Sequence, residues 1–218
     1  MIDPDGADEH IRIVSESGAG KLGEAPVWKR HGAGWTPVFG SINRLGFSIE
    51  WHDISSSDAI DWEESFHPKS LEICLNLLGD GEVSCGRDRL EFTDGTVGFY
   101  CSAGTPIRAR RNGGQKHQFV TVEVSFDFLG TNLPMKSGNL HAAIQSSLGA
   151  GRSKSAVSAV QRMTASHQQL VKQLRRPPVV AAALPLWYRG KVLELISEFL
   201  FTAPTEDLFC TRQKRVAT

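Results

Sequence analysis

The sequence contains no long hydrophobic run and no surplus of charge of either sign. No stretch of about 18 uncharged apolar residues is present, so we expect no membrane-spanning helix. Lys and Arg together number 24, as do Asp and Glu. This balance argues against a stand-alone nucleic-acid-binding protein, because phosphate contacts need a basic surplus. The acidic N-terminal segment MIDPDGADEH lacks the apolar core of a secretory signal, and we predict a cytoplasmic protein.

Signatures of nucleophilic catalysis, phosphate binding and clustered thiol chemistry are also missing. There is no G-x-S-x-G elbow, and the glycine-rich stretch Gly18–Lys21 lacks the spacing of a phosphate-binding loop. The four cysteines, Cys74, Cys85, Cys101 and Cys210, form no C-x-x-C pair. Cys74 and Cys101 lie within apolar runs, as buried thiols do, and a disulfide between them is the alternative.

What is present is a series of short apolar runs separated by tight-turn signals, between Ser65 and Phe126. The turns are marked by Gly79-Asp80-Gly81, Gly86-Arg87-Asp88, Asp94-Gly95 and Asn112-Gly113-Gly114. Glycine supplies the positive φ that hairpin turns need, and Asp or Asn tolerates it. Short strands at such regular spacing predict an antiparallel sandwich or barrel rather than a parallel sheet.

Two of these strands have different faces. In the first, Leu71, Ile73, Leu75 and Leu77 alternate with Glu72, Cys74 and Asn76. In the second, Val120, Val122, Val124 and Phe126 alternate with Phe119, Thr121, Glu123 and Ser125. A closed sheet would turn the partly polar face into a lined cavity and an open one would expose it to water, and the periodicity allows both. A carboxylate at Glu72 must therefore line a polar pocket or pair with an arginine such as Arg108 or Arg110.

The flanking segments predict further strands and a helical end. Strands are expected at Ile11–Val14, Trp35–Ile42 and Leu45–Asp53. Helices are expected at Gly138–Leu148, from a cap at Thr164 to about Arg175, and from about Val179 to Phe201, with a start or a kink at Pro185. The last helix has a wide apolar face, which needs either the barrel wall or a second subunit as its partner.

One spacing resembles the metal-binding motif of the cupin superfamily. Ser65-x-His67-x4-Glu72-x6-Gly79 matches its second histidine, its glutamate and its closing glycine, with Ser65 in place of the first histidine. Gly98 stands where the histidine of the second cupin motif would be. Two of four ligands are thus absent, and His117 is the remaining candidate for a third, so we expect no bound metal and no other cofactor.

The order of a metal-poor cupin-like barrel, helices and a basic end resembles the N-terminal regulatory domain of AraC/XylS-type transcriptional regulators, especially the branch with siderophore-responsive members. Two stretches carry the resemblance, LEICLNLLGDGEVSCGRDRLEFTDGTVGFY and LPLWYRGKVLELISEFLF. It implies a mainly β fold with helices: a cupin-like antiparallel β-barrel (jelly roll) over residues 1–130, followed by a C-terminal helical linker or dimerisation segment over 131–203. Residues 204–218 would be a basic linker toward a helix-turn-helix domain that this chain does not contain.

The function implied by the resemblance is sensing of a small-molecule effector by a homodimer, without enzymatic activity. DNA would be bound only through the missing C-terminal domain, and no membrane would be involved. By analogy, the ligand-binding residues are Trp51, His67, Glu72, Cys74, Asn76, Phe99, Arg108 and His117. The alternatives are a metal-free cupin-like small-molecule binding protein without a role on DNA and a cupin metalloenzyme.

Overall fold

The computed structural model describes residues 27–28, 34–134, 139–148 and 153–202, and these form two antiparallel sheets flanked by helices. The larger sheet has seven strands within this part of the chain: β1 (Trp35–Ser41), β2 (Phe47–Ser56), β4 (Ser70–Leu78), β7 (Thr96–Ser102), β9 (Gln115–Ser125), β10 (Ala156–Val157) and β11 (Gln161–Arg162). Their order is β1-β2-β9-β4-β7-β10, and β11 also pairs with β7. The expected strand at Ile11–Val14, the Gly18–Lys21 stretch and the basic linker 204–218 lie outside the described residues.

The strands of the smaller sheet are β3 (Ile60–Asp61), β5 (Gly81–Cys85), β6 (Asp88–Phe92) and β8 (Arg108–Arg111). Their order is β3-β8-β5-β6. The helices seen in the described ranges are α1 (Ile42–Leu45), α2 (Phe126–Asn132), α3 (Ala142–Leu148), α4 (Ala165–Arg175) and α5 (Leu184–Phe199), with single 3₁₀ turns at Glu63–Ser65 and Ala181–Ala183.

All four predicted glycine turns are confirmed, and each contains a glycine with positive φ: 90° at Gly79, 63° at Gly86, 68° at Gly95 and 74° at Gly114. Left-handed backbone is costly for residues that carry a Cβ atom. These turns therefore join β4 to β5, β5 to β6, β6 to β7 and β8 to β9 with short connections. Strands β5 and β6 pair antiparallel in the smaller sheet, and the other three turns carry the chain from one sheet to the other.

The larger sheet is covered on both faces. One apolar core lies between the two sheets, where Tyr100 and Phe119 of the larger sheet pack in one cluster with Val83 and Leu90 of the smaller sheet. A second core lies on the opposite face, beneath α2 to α5. The predicted fold class is confirmed, as a jelly roll of two packed sheets; across the described residues, no strand pair closes them into one continuous barrel.

Helix α4 begins where the sequence predicted, and α5 begins at Leu184 rather than at about Val179. Thr164 caps α4, and its side chain accepts a hydrogen bond from the His167 backbone while the His167 ring accepts one from the Thr164 backbone. Pro185 lies in the first turn of α5, so the helix starts there rather than kinking. The apolar face of α5 packs on the larger sheet, with Val192 and Leu195 fully buried, which gives it the barrel wall as partner.

Several local predictions need correction. The strand expected at Trp35–Ile42 ends at Ser41 and the one expected at Leu45–Asp53 begins at Phe47. A helical turn, α1, joins them and ends at Gly46 with φ of 77°. No strand was expected after residue 148, but β10 lies there and pairs with Tyr100 and Cys101; a two-residue strand is too short to show periodicity. The thiols of Cys74 and Cys101 are free, because they lie in different cores on opposite faces of the sheet. In the described ranges, no helix has the length and apolar character to cross a membrane.

Candidate functional site

The polar faces of β2, β4 and β9 line the space between the two sheets. Strand β9 runs between the other two, so that Glu123 is directly opposite Glu72, and Thr121 is opposite Glu50. Tyr100 of β7 faces Glu72 from the other side. All five side chains are buried. The alternation of side chains thus directs the polar face into the interior rather than to water, although no strand pair among the described residues closes the two sheets into a barrel.

Within this space lies a group that we call the carboxylate cluster, which consists of Glu50, Glu72, Glu123 and His67. His67 comes from the segment that precedes β4, and its Nδ1 atom lies 2.8 Å from Glu123 Oε2. The Glu123 side chain is only 2% exposed, whereas the His67 side chain is 18% exposed. The His67 ring therefore covers the cluster on the side that reaches solvent.

The other two carboxyl groups are held by aromatic hydrogen-bond donors. Trp35 Nε1 donates a hydrogen bond of 2.6 Å to Glu50 Oε2, and the Tyr100 hydroxyl donates one to Glu72 Oε1. Burying a polar group is costly unless it is hydrogen-bonded, and these donors offset part of that cost. They also fix the positions of Glu50 and Glu72 on their strands.

The cluster has a strong effect on the ionisation of its members. Burial, together with the charges of Glu123 and Glu50, raises the pKa of Glu72 well above its usual range, against a smaller opposing effect of the Tyr100 hydrogen bond. The hydrogen bond from Glu123 raises the pKa of His67, although burial lowers it in part. These shifts favour the neutral form of Glu72 and the protonated form of His67.

One acceptor in the cluster is left without a partner. Glu123 Oε1 is fully buried and accepts no hydrogen bond from any of the described residues. Carboxylate oxygens in folded proteins are almost always hydrogen-bonded, so an exception needs an explanation. Here, the unpartnered oxygen belongs to a side chain at the centre of three carboxyl groups, where a bound group could satisfy it.

A buried arginine occupies the other end of the space. Arg111 is fully buried, and it donates hydrogen bonds from Nη1 to Asn76 Oδ1 at 2.9 Å and from Nη2 to Cys74 Sγ at 3.6 Å. Its guanidinium carbon lies 3.6 Å from the ring centre of Phe119 and 5.3 Å from that of Trp62. Burial lowers the pKa of Arg111. Aromatic faces stabilise this cation in place of an ion pair.

Aromatic rings fill the region between the two ends. The His52 ring stacks on Phe119 with ring centres 4.1 Å apart, and the Trp28 ring meets His52 edge-on at 4.6 Å. His52 Nε2 lies 3.2 Å from Thr121 Oγ1, while its Nδ1 is buried without a partner among the described residues. Burial, with a smaller effect of Arg111, lowers the pKa of His52 well below its usual range, so its ring is neutral.

The structure brings some of the predicted site residues together. His67 and Glu72 are members of the carboxylate cluster, and Cys74 and Asn76 contact Arg111. His117 is farther away, and its Nε2 atom hydrogen-bonds the Asn112 carbonyl oxygen at 2.8 Å.

Three predicted residues lie elsewhere. Trp51 and Phe99 belong to the core on the helix side, and the guanidinium of Arg175 lies 3.9 Å from the Trp51 ring. Arg108 is exposed, as is Arg110, so neither pairs with Glu72. The physical reason is the alternation along β8, which turns Ala109 and Arg111 inward and the other two arginines outward.

Sequence reasoning missed Glu50, His52, Tyr100, Arg111, Glu123 and Trp28 as members of this region. Glu50 and Glu123 were visible as acidic residues on the polar faces of two-faced strands, but their positions beside Glu72 depend on the strand register. Tyr100 and Arg111 needed the strand register, which the sequence alone does not supply.

The residues present do not fit the metal centre of a cupin. Across the described part of the chain, no group of three His, Cys, Asp or Glu side chains is arranged to hold a metal ion. His67 is hydrogen-bonded to Glu123, and Gly98 packs against Leu90, where an added Cβ would lie 2.6 Å from Leu90 Cδ1.

A surface cleft of about 400 Å³ lies at the end of β2, outside the carboxylate cluster. Its lining residues are Ser55, Ser56, Ser57, Gly114, Gln115 and Lys116.

Comparison with known proteins gives one extensive match. Residues 37–207, well over half of the chain, match the family model described as the regulatory protein PchR N-terminal domain. The match includes the carboxylate cluster, Arg111 and all of α5. No curated protein sequence matches the chain.

Solved structures with similar folds are distant. The AraC-like transcriptional activator CuxR is 11% identical, with a TM-score of 0.46 over 75% of this chain, and the chain spans 56% of the CuxR structure. The EutQ protein of Clostridium difficile is 13% identical, with a TM-score of 0.31 over 43% of this chain and 68% of its own. The cupin domain of Schizosaccharomyces pombe Cnp3 is 12% identical, with a TM-score of 0.33 over 42% of this chain and 59% of its own.

Proposed function

Because the chain belongs to the family of PchR N-terminal regulatory domains, which are effector-sensing domains of AraC-type regulators, we propose that its effector binds between the two sheets, at the carboxylate cluster. The observation that carries this proposal is the buried Glu123 side chain, whose Oε1 atom has no partner among the described residues. Local departures from full hydrogen bonding are characteristic of functional sites. An effector that supplies a donor would remove this cost.

The position of the cluster in the sheet supports a role in signalling. Glu123 lies between Val122 and Val124 on β9, and both valines belong to the core beneath the helices. A small movement of β9 on the effector side therefore displaces side chains of the core to which α5 also belongs. Because well-packed cores resist continuous deformation, such a displacement favours a discrete second arrangement of the helices. The effector acts only through its different affinities for the two arrangements.

The remaining parts of the function follow from the family. We propose that the domain acts as a homodimer in the cytoplasm, and that it reaches DNA only through a separate helix-turn-helix domain. We also propose that the chain has no enzymatic activity. In support, the cupin positions hold Ser65 and Gly98 where two metal-binding histidines would stand.

The test is a thermal-shift screen of a library of small metabolites against the chain, followed by hydrogen exchange on each hit. We expect at least one compound to raise the melting temperature saturably without being converted, and to change amide protection in both β9 and α5. The Glu123→Gln variant should lose the shift. The Glu82→Gln variant, altered at an exposed surface pair with Arg89, should retain it.

Three outcomes contradict the proposal. A hit that stabilises Glu123→Gln as much as the unaltered chain binds elsewhere. A hit that leaves exchange in α5 unchanged is not transmitted to the helices. Conversion of the hit to a product would identify an enzyme instead.

A further inference from the structure

The carboxylate cluster has an excess of acidic over basic groups. It contains three carboxyl groups and one imidazole, and the strand register places Glu72 and Glu123 directly opposite each other. Like charges so close are unfavourable, and the charges of Glu123 and Glu50 both raise the pKa of Glu72. Arg111 lies at the other end of the space, where its guanidinium donates to Asn76 and Cys74, and its charge has the smallest of the effects on the pKa of Glu72. The cluster therefore holds more carboxyl groups than basic groups inside the protein.

The unpartnered acceptor lies within this region. Glu123 Oε1 is buried and unbonded among the described residues, while Oε2 of the same carboxylate is held by His67. An acceptor of this kind is satisfied by an N–H or O–H donor, and most strongly by a charged one. Metal ions are poorly suited, because the described residues offer no three-ligand group.

Aromatic rings border the cluster as well. Tyr100 bonds Glu72 and packs against Phe66 with ring centres 5.1 Å apart, and Trp35 bonds Glu50. Carboxylates combined with aromatic rings are the chemistry that recognises organic cations, because ring faces attract positive charge.

We propose that the carboxylate cluster is the subsite for a protonated amine of the effector, with Glu123 Oε1 as the acceptor of its N–H group. The proposal rests on the proposed function and adds the chemical class of the ligand. His67 competes with the ammonium group for the same carboxylate. Removing the imidazole therefore strengthens binding, whereas removing the carboxylate weakens it.

The probe is n-butylammonium chloride, titrated into the chain labelled with ¹³C at the glutamate carboxyl carbons and followed by NMR. We expect saturable shifts of the Glu123 and Glu72 signals, and no such shifts from 1-butanol or sodium butyrate at equal concentration. Affinity should fall by about tenfold or more in Glu123→Gln, as loss of a charge-assisted hydrogen bond requires. It should rise in His67→Gln and stay unchanged in Glu82→Gln.

The two variants of the ion pair separate recognition from folding, because general disruption of the site would weaken binding in both. Weaker binding in His67→Gln, equal binding in Glu123→Gln, or no saturable shift at all would overturn the proposal. Stronger binding of magnesium chloride at the same carbons would replace the ammonium subsite with a metal site. An uncharged or anionic compound from the screen that binds between the sheets would overturn the ammonium subsite and leave the proposed function intact.

Discussion

The imidazole of His67 and the carboxylate of Glu123 lie 2.8 Å apart, although 56 positions separate them in the sequence. His67 stands in the segment before β4, and Glu123 stands on β9, at the centre of the larger sheet. The pair therefore ties a surface segment to a central strand, at the point where the carboxylate cluster approaches solvent.

The first prediction concerns the titration of His67. The Glu123 hydrogen bond raises the pKa of His67 while burial lowers it, so the midpoint in the unaltered chain should lie above 6.5 and should fall in Glu123→Gln. A raised histidine pKa means that the pair stabilises the fold at low pH, and that this contribution is lost as the pH rises through the folded-state pKa. Imidazole NMR signals give both midpoints, and equal midpoints would show that the pair does not control His67.

The second prediction is that Glu72→Gln stabilises the protein increasingly as the pH rises above 4.5, the ordinary pKa of the side chain. A raised carboxyl pKa favours the protonated form in the folded state, so unaltered protein loses stability between 4.5 and the folded-state pKa. The loss is up to about 1.4 kcal/mol for each pH unit. The amide keeps an acceptor for Tyr100 and does not ionise.

The check on Glu72→Gln is the free energy of unfolding in urea, measured from pH 5 to pH 8 for both proteins. Glu82→Gln is the control, because Glu82 lies on the surface beside Arg89. A constant difference between Glu72→Gln and unaltered protein across this range would contradict the raised pKa.

The sequence was sufficient for much of the fold, because turns and alternation are local properties. The glycine turns, the cap at Thr164 and the start of α5 at Pro185 follow from one or a few neighbouring residues. The carboxylate cluster depends instead on register. Glu72 meets Glu123 only because β4 and β9 pair in one of several possible alignments. The same limit led to Arg108, which is exposed, being chosen in place of Arg111, which is buried.

The third prediction uses the alternation of exposed and buried side chains along β8. Arg111→Ala removes a buried cation, leaves Asn76 Oδ1 without its donor and opens a cavity beside Phe119. We expect it to reduce the free energy of unfolding by about 3–5 kcal/mol. Arg110→Ala is the matched control, because the Arg110 side chain is 64% exposed and its ion pair with Asp61, at 3.5 Å, is on the surface. It should change stability by less than about 0.5 kcal/mol. Similar losses in urea unfolding would contradict this difference.

The fourth prediction compares two turn glycines with positive φ. A Cβ at Gly79 would lie 2.3 Å from His117 Nδ1 and 2.6 Å from the Lys116 carbonyl oxygen, whereas a Cβ at Gly86 meets no atom within 4 Å. Both substitutions to alanine carry a backbone cost of about 1–2 kcal/mol, and only Gly79→Ala adds a clash with backbone. Thermal unfolding should therefore show a much larger loss for Gly79→Ala. Equal losses would mean that the turn accommodates the added methyl group.

The last prediction tests how α5 is held on the sheet. Ile196 is 2% exposed and lies in the helix-side core, whereas Leu193 is half-buried at its edge. Ile196→Asp places a carboxylate among buried apolar side chains, and should cost about 3–5 kcal/mol. Leu193→Asp keeps its charge near water and should cost far less. If α5 also forms the dimer contact, Leu193→Asp would leave a folded monomer. Urea unfolding and light scattering on both variants separate these effects, and an equal loss of stability would show that α5 does not pack on the sheet through Ile196.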